Sequence, residues 1–289
     1  LVRQAGQWSE LEQQVQHYLA SPFRREFGSS IAILETVSDV DDLPRFNLGL
    51  SSERTVELIR SVGWLLNEIS PAELFNHCLL FQLDAMQSGG QYPTPRHIAR
   101  LMADLVESVS RENDSQNKLV ADFACGSGGL LVEFADSNVF GIEISSTWAR
   151  LARTNLLLHR QKAQSIFTGN ALEVTEQEFT ERTRTPPFPG REARKFNAIV
   201  MNPPFGHPLE LYHMAWEFRE RAGRRSETVL TLLALDYLHS HSVLAVLQPG
   251  GTLFSTSRGE KWLRERLLTE TQLYAVVQLP KDAFQPYSQ

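Results

Sequence analysis

From about residue 118 to the end, the chain keeps one rhythm: a short apolar run, a turn, then a segment with apolar residues every three to four positions. The runs KLVADFA, NVFGIEI, AQSIFTGN, FNAIVMN, GGTLFSTS and LYAVVQL read as strands. Amphipathic segments such as STWARLARTNLLLHR and SETVLTLLALDYLHSHSVLAVL read as the helices between them. Strands buried on both faces are apolar throughout, and strand–helix alternation packs helices on both sides of a mostly parallel sheet. The expected class is therefore α/β. Apolar residues make up 42% of the 289, enough to fill such a core.

Ahead of this rhythm the texture is helical. WSELEQQVQHYLA spaces Trp8, Leu11, Val15 and Leu19 on a helical period. SSERTVELIRSVGWLLNEI does the same with Val56, Ile59, Leu65 and Leu66. SPAELFNHCLLFQLDAM opens with Ser70 as cap and Pro71 at the first helical position. The stretch predicts a helical domain over 1–86, followed by the α/β domain over 87–289. The second begins with QYPTPRHIARLM, where Thr94 is expected to cap a helix and Pro95 to start it. Ile98, Leu101, Met102 and Leu105 would form that helix's buried stripe.

The formal charge of -6 argues against a chain whose whole surface grips nucleic acid, so any such contact is local or comes from a partner. Arg182, Arg184, Arg191, Arg194 and Lys195 form one basic cluster, and Arg219, Arg221, Arg224 and Arg225 a second. Either could hold phosphates or be a solvated face. The two cysteines, Cys78 and Cys125, make no disulfide framework and suit a reducing cytoplasmic setting. No apolar run is long enough to span a bilayer. No charged-then-apolar leader opens the chain, so no signal peptide is expected, and a first residue other than Met suggests a fragment.

The chemistry concentrates where strands end. In VADFACGSGG a strand closes at Asp122, and Gly126, Gly128 and Gly129 permit a tight turn that a ligand can approach. A plain strand-to-helix turn would look the same. Glu143 ends the next strand, where an acidic side chain can accept both hydroxyls of a ribose, as in dinucleotide folds. With the glycine loop before it, the ligand reading is preferred over a solvated glutamate. Asn170, after the third strand, could bond the edge of an adenine or simply serve the turn. The fourth strand ends in Asn202, Pro203, Pro204 and Phe205. Each proline fixes its own φ and extends the residue before it, so the loop is stiff. It can present the Asn202 amide, the Pro203 carbonyl and the Phe205 face to one point. Those three groups suit an aromatic ring that bears an amino group.

Taken together and in this order, the motifs resemble those of adenine-specific DNA methyltransferases that use S-adenosylmethionine, in particular the modification subunit of type I restriction systems. The likeness runs from about Gly90 to the C-terminus. QYPTPRHIARLM is similar to the family's segment that borders the methionine part of the cofactor. DFACGSGG resembles its cofactor loop, GIEISSTWARLARTNLLLH its ribose-binding acid and following helix, and NPPFG its catalytic tetrapeptide. The resemblance implies a Rossmann-like methyltransferase sheet with helices on both faces. It implies cofactor contacts from Tyr92, Thr94, Pro95, Asp122, Ala124, Gly126, Gly128, Glu143, Asn170 and Asn202. The family often has Pro where Phe123 stands, and it usually continues with another strand, so a truncated sheet is expected.

The resemblance also implies a mechanism. Asn202 and the Pro203 carbonyl would accept hydrogen bonds from adenine's amino group and localise its lone pair. A base inside a duplex cannot reach such a site, so it would be flipped out and stacked on Phe205. Tyr92 and Phe254 are further aromatic candidates. Cys125 is expected to be a packing residue, since no covalent step is needed. Partners would be DNA, a specificity subunit and a restriction subunit, in a restriction-modification or related defence system. Two alternatives stay open: a methyltransferase acting on RNA or a protein glutamine, and an inactive cofactor-binding module with an assembly role.

Overall fold

In the computed structural model the chain divides into two units, Leu1–Leu83 and Asp84–Gln289. The structure describes residues 94–110, 118–159, 161, 165–173, 196–212, 214–281 and 283–284, with Ser70 and Ala72 in the first unit. The helices expected over 1–86, Tyr92, Cys78 and the first basic cluster lie outside the described residues.

The second unit contains a five-stranded parallel sheet, order β3-β2-β1-β4-β5. The strands are β1 (Leu119–Asp122), β2 (Asn138–Glu143), β3 (Ile166–Thr168), β4 (Phe196–Met201) and β5 (Leu238–Val246). The helices are α1 (Arg96–Ser110), α2 (Ser146–Leu158), α3 (Trp216–Ala222), α4 (Ser226–Asp236) and α5 (Arg258–Glu270). Side chains alternate across a strand, and the core follows that alternation. Val120, Val139, Ala198 and Val200 pack with α1 and α2 residues such as Ile98, Met102, Ala152 and Leu156. Ala121, Phe140, Ile199 and Met201 pack on the other side with Phe218, Val229, Leu232 and Leu263 from α3, α4 and α5. The α/β expectation, with helices on both faces, is met.

The second layer contains an aromatic cluster that accounts for the departure at Phe123. Its ring packs edge-on against Phe196 and Tyr237, with centroids 5.8 and 5.2 Å away. Phe140 stacks on Phe196 at 5.8 Å. Such edge and offset contacts contribute about 0.5–1.5 kcal/mol each beyond burial.

Several local expectations are corrected. SETVLTLLALDYLHSHSVLAVL is not one helix: α4 stops at Asp236, and Leu238–Val246 forms β5. A short apolar run fits either period, and here the open edge of β4 decides it. Val243 and Ala245 face one layer, while Leu244 and Val246 face the other. GGTLFSTS is not a strand. Pro249 precedes a 3-10 turn over Gly250–Leu253, with Thr252 N–H on the Pro249 carbonyl at 2.9 Å. LYAVVQL runs without ladder pairing among the described residues, with Leu273, Tyr274, Val276 and Val277 exposed. Its alternation suits a strand, but among the described residues it pairs with neither outer strand of the sheet, β3 or β5. In α1 the buried face is Ile98, Ala99, Met102, Ala103 and Val106, and Leu101 and Leu105 are exposed instead. The buried face is rotated around the helix from the one the periodicity suggested, toward Ala99, Ala103 and Val106.

Candidate active site

Every strand of a parallel sheet ends on the same side, so Asp122, Glu143, the turn at Asn170 and the Asn202 loop share one edge. The chain passes from β1 to β2 and β3 on one side, then returns to place β4 on the other. The carboxyl ends of β1 and β4 therefore flank the topological switch point, where ligands bind in open α/β sheets.

The glycine loop is shaped by its own hydrogen bonds. Cys125 N–H donates to the Ile142 carbonyl at 2.9 Å, and Gly128 N–H to the Cys125 carbonyl at 2.8 Å. Gly126 and Gly128 take φ values of +53° and +75°, a region that L side chains rarely adopt. A Cβ on Gly126 would meet nothing within 4 Å, so the backbone there is open to a ligand. Asn155 of α2 is fully buried and donates from Nδ2 to the Ser127 carbonyl at 3.0 Å, tying the loop to the helix. The sequence reading missed this residue. Its signal was a lone amide in the otherwise apolar face of TNLLLH.

Glu143 is buried and held from two sides. Oε2 accepts from Gly126 N–H at 2.9 Å and Oε1 from Ser145 N–H at 2.8 Å. Burial raises its carboxyl above the ordinary value, and these N–H groups pull it back. Asp122 Oδ1 accepts from Ala124 N–H at 2.9 Å. Burial pushes Asp122 up to about 8, and the charge of Glu143 adds to the rise, while the Ala124 bond opposes it. Burial also pushes the Cys125 thiol well up, which leaves it a packing group, as expected.

Thr94 links the two halves of the edge. Its Oγ1 accepts from Asn202 Nδ2 at 3.1 Å, across 108 positions. Its carbonyl lies 3.9 Å from where a Gly129 Cβ would stand. Thr94 is thus not the cap of α1; the Pro95 carbonyl receives the first helical bonds, from Ile98 and Ala99. With its nitrogen committed to Thr94, the Asn202 amide presents Oδ1 as an acceptor. Pro203 is buried, Pro204 is half-buried, and Phe205 is 42% exposed.

Other candidates fall differently. Asn170 makes the bonds of a turn residue: Oδ1 accepts from Leu172 N–H at 3.1 Å and Nδ2 donates to Glu173 at 2.8 Å. Phe254 is 82% exposed, at the end of the 3-10 turn. In the second basic cluster Arg221 pairs with Glu265, Arg224 with Glu210 and Arg225 with Glu260. Those arginines are engaged by carboxylates, which weakens the phosphate reading there.

Comparisons with known proteins give the family. The model of the N-6 DNA methylase family matches residues 79–288. The chain belongs to that family. It is 28% identical over 257 residues to the methylase subunit of the type I restriction enzyme EcoEI from Escherichia coli, covering 80% of this chain and 48% of that one. Among solved structures, a protein from Vibrio vulnificus YJ016 described as a modification subunit of a type I restriction enzyme superposes with a TM-score of 0.51 at 26% identity, over 68% of this chain and 42% of that one. A Listeria monocytogenes protein described as a class I S-adenosylmethionine-dependent methyltransferase shares the fold, with a TM-score of 0.54 at 18% identity, over 70% of this chain and 61% of that one. The chain spans about half the length of the curated relative it matches.

The fold is Rossmann-like, of the class I methyltransferase type, and the cofactor of this family is S-adenosylmethionine. The residues present fit that group. Each Glu143 oxygen has one bond from a backbone N–H and keeps lone-pair capacity for a hydroxyl. Gly126 leaves open space beside that carboxylate. Among the described residues no helix is long and apolar enough to cross a membrane.

Proposed function

We infer that this chain transfers a methyl group from S-adenosylmethionine to the exocyclic amino group of adenine in DNA. The observation that carries the reading is the Asn202 loop. Its amide is oriented by Thr94 and followed by the Pro203 carbonyl and an exposed Phe205, on the sheet edge that also holds Glu143.

S-adenosylmethionine supplies a methyl on a positively charged sulfur, already activated for attack. The protein's task is then placement and electrostatics. Glu143 and the open backbone at Gly126 hold the nucleoside part, and Thr94 and Pro95 border the methionine part. Adenine's amino nitrogen is a weak nucleophile because its lone pair is delocalised into the ring. Asn202 Oδ1 and the Pro203 carbonyl accept its two N–H groups, favour a tetrahedral nitrogen and localise the pair. Phe205 offers the face on which a flipped base stacks. Asn170 and Asp122 contribute through the shape of the two turns.

In this reading a specificity subunit sets the target, and a restriction subunit completes a cytoplasmic defence system. The test is Asn202→Ala in the intact protein. Methyl transfer to DNA is expected to fall by at least a hundredfold while S-adenosylmethionine still binds. Undiminished transfer would remove Asn202 from the chemistry and the adenine reading with it.

A further inference from the structure

We propose that Glu227, together with Ser226, is the positioning device that sets the Asn202–Phe205 loop against the sheet. This rests on the adenine-transfer reading and extends it to a residue that touches neither substrate nor cofactor.

The prolines make the loop stiff but also strip it of two N–H groups, so little of its own backbone can anchor it. Anchors come from the start of α4, more than 20 positions on. Ser226 Oγ donates to the Pro204 carbonyl at 2.6 Å. Glu227 Oε2 accepts from Gly206 N–H at 2.8 Å. Ser226 N–H donates to the His207 carbonyl at 2.9 Å. The residues on both sides of Phe205 are therefore held to one point, and the ring between them is the part left exposed.

An acid in the first turn of a helix usually serves the helix dipole from a solvated position. Glu227 differs in two respects. It is 2% exposed, and its carboxylate is bonded by a loop distant in sequence. It is itself braced: the Glu227 carbonyl accepts from Gln248 Nε2 at 3.1 Å, and from Thr231 Oγ1 at 2.6 Å. Gln248 Nε2 also reaches Thr231 Oγ1 at 2.8 Å, and Thr252 Oγ1 donates to Gln248 Oε1 at 3.2 Å. The loop is thus referenced to α4 and to the turn that follows β5. Gly206 is exposed, so water can take its N–H when the carboxylate is removed. The loop then loses its place while the fold survives.

The experiment compares Glu227→Met, which keeps bulk but not the acceptor, with Glu227→Gln, which keeps an acceptor oxygen. In the intact protein, Glu227→Met is expected to lower kcat on DNA at least tenfold and raise KM for DNA. The Kd for S-adenosylmethionine should stay within twofold, and Glu227→Gln should recover most of the rate. Wild-type kinetics in Glu227→Met overturn the proposal. So does a loss of transfer matched by equal losses of cofactor binding and thermal stability, which would make Glu227 a fold residue. A wild-type protein that transfers nothing to DNA refutes the adenine reading instead. Hydrogen exchange at the Phe205, Gly206 and His207 amides then decides the clamp: at least tenfold faster exchange at Gly206 in Glu227→Met supports it, and unchanged exchange overturns it.

Discussion

Asp122 provides the sharpest physical test of the site, because its carboxyl is carried into the protein where water cannot reach it. Folding moves it from about 3.8 to about 8, chiefly through burial, with the nearby Glu143 charge adding to the rise. A raised carboxyl means that the folded state holds a proton the unfolded chain has released. The stabilisation is therefore complete below about pH 4, is lost as pH climbs toward about 8, and stays flat beyond. Each unit corresponds to about 1.4 kcal/mol, so roughly four units give an effect on the order of 5 kcal/mol. Asp122→Asn removes the titration and retains an Oδ1 that can accept the Ala124 N–H. The assay is denaturant unfolding of both proteins at matched pH values across that window, without cofactor. The variant's stability relative to wild type should rise with pH by several kcal/mol, and the subtraction cancels every group the two proteins share. A stability difference that stays constant across the window within about 1 kcal/mol would refute the argument that burial holds the Asp122 proton.

Three further outcomes follow from the geometry. Gly128→Ala forces an L residue to φ +75° and sets its Cβ 3.4 Å from the Ala152 Cα. It should cost about 1–3 kcal/mol in unfolding experiments and weaken S-adenosylmethionine binding. Phe205→Ala, at a site 42% exposed, should leave the melting temperature unchanged but raise KM for DNA by about 1–3 kcal/mol of lost stacking. Glu143→Ala should weaken S-adenosylmethionine binding in titration calorimetry, and unaltered affinity would remove Glu143 from the pocket.

The parts of the site that punctuate the sequence were legible in it. Asp122, the glycine turn, Glu143 and Asn202 each stand where an apolar run stops, and a parallel sheet puts all such stops on one edge. The parts that depend on a contact far away in the chain were not. Thr94 looked like a helix cap, yet its hydroxyl serves Asn202 108 positions on. Glu227 was not singled out, because nothing in its spacing reveals a bond to Gly206. The tail of SETVLTLLALDYLHSHSVLAVL carries apolar residues that suit a helix or a strand equally, and only the vacant edge of β4 selects the strand. Asn170 had two readings from the sequence, and its bonds to Leu172 and Glu173 are those of the turn.

The central claim is the identity of the reaction, and product analysis tests it most directly. The intact protein would be incubated with labelled S-adenosylmethionine and unmethylated genomic DNA, and in parallel with total RNA. The nucleic acids would then be digested to nucleosides and separated. The account predicts label in N6-methyladenine from DNA, lost in Asn202→Ala. Label in a methylated cytosine, or in RNA alone, would contradict it.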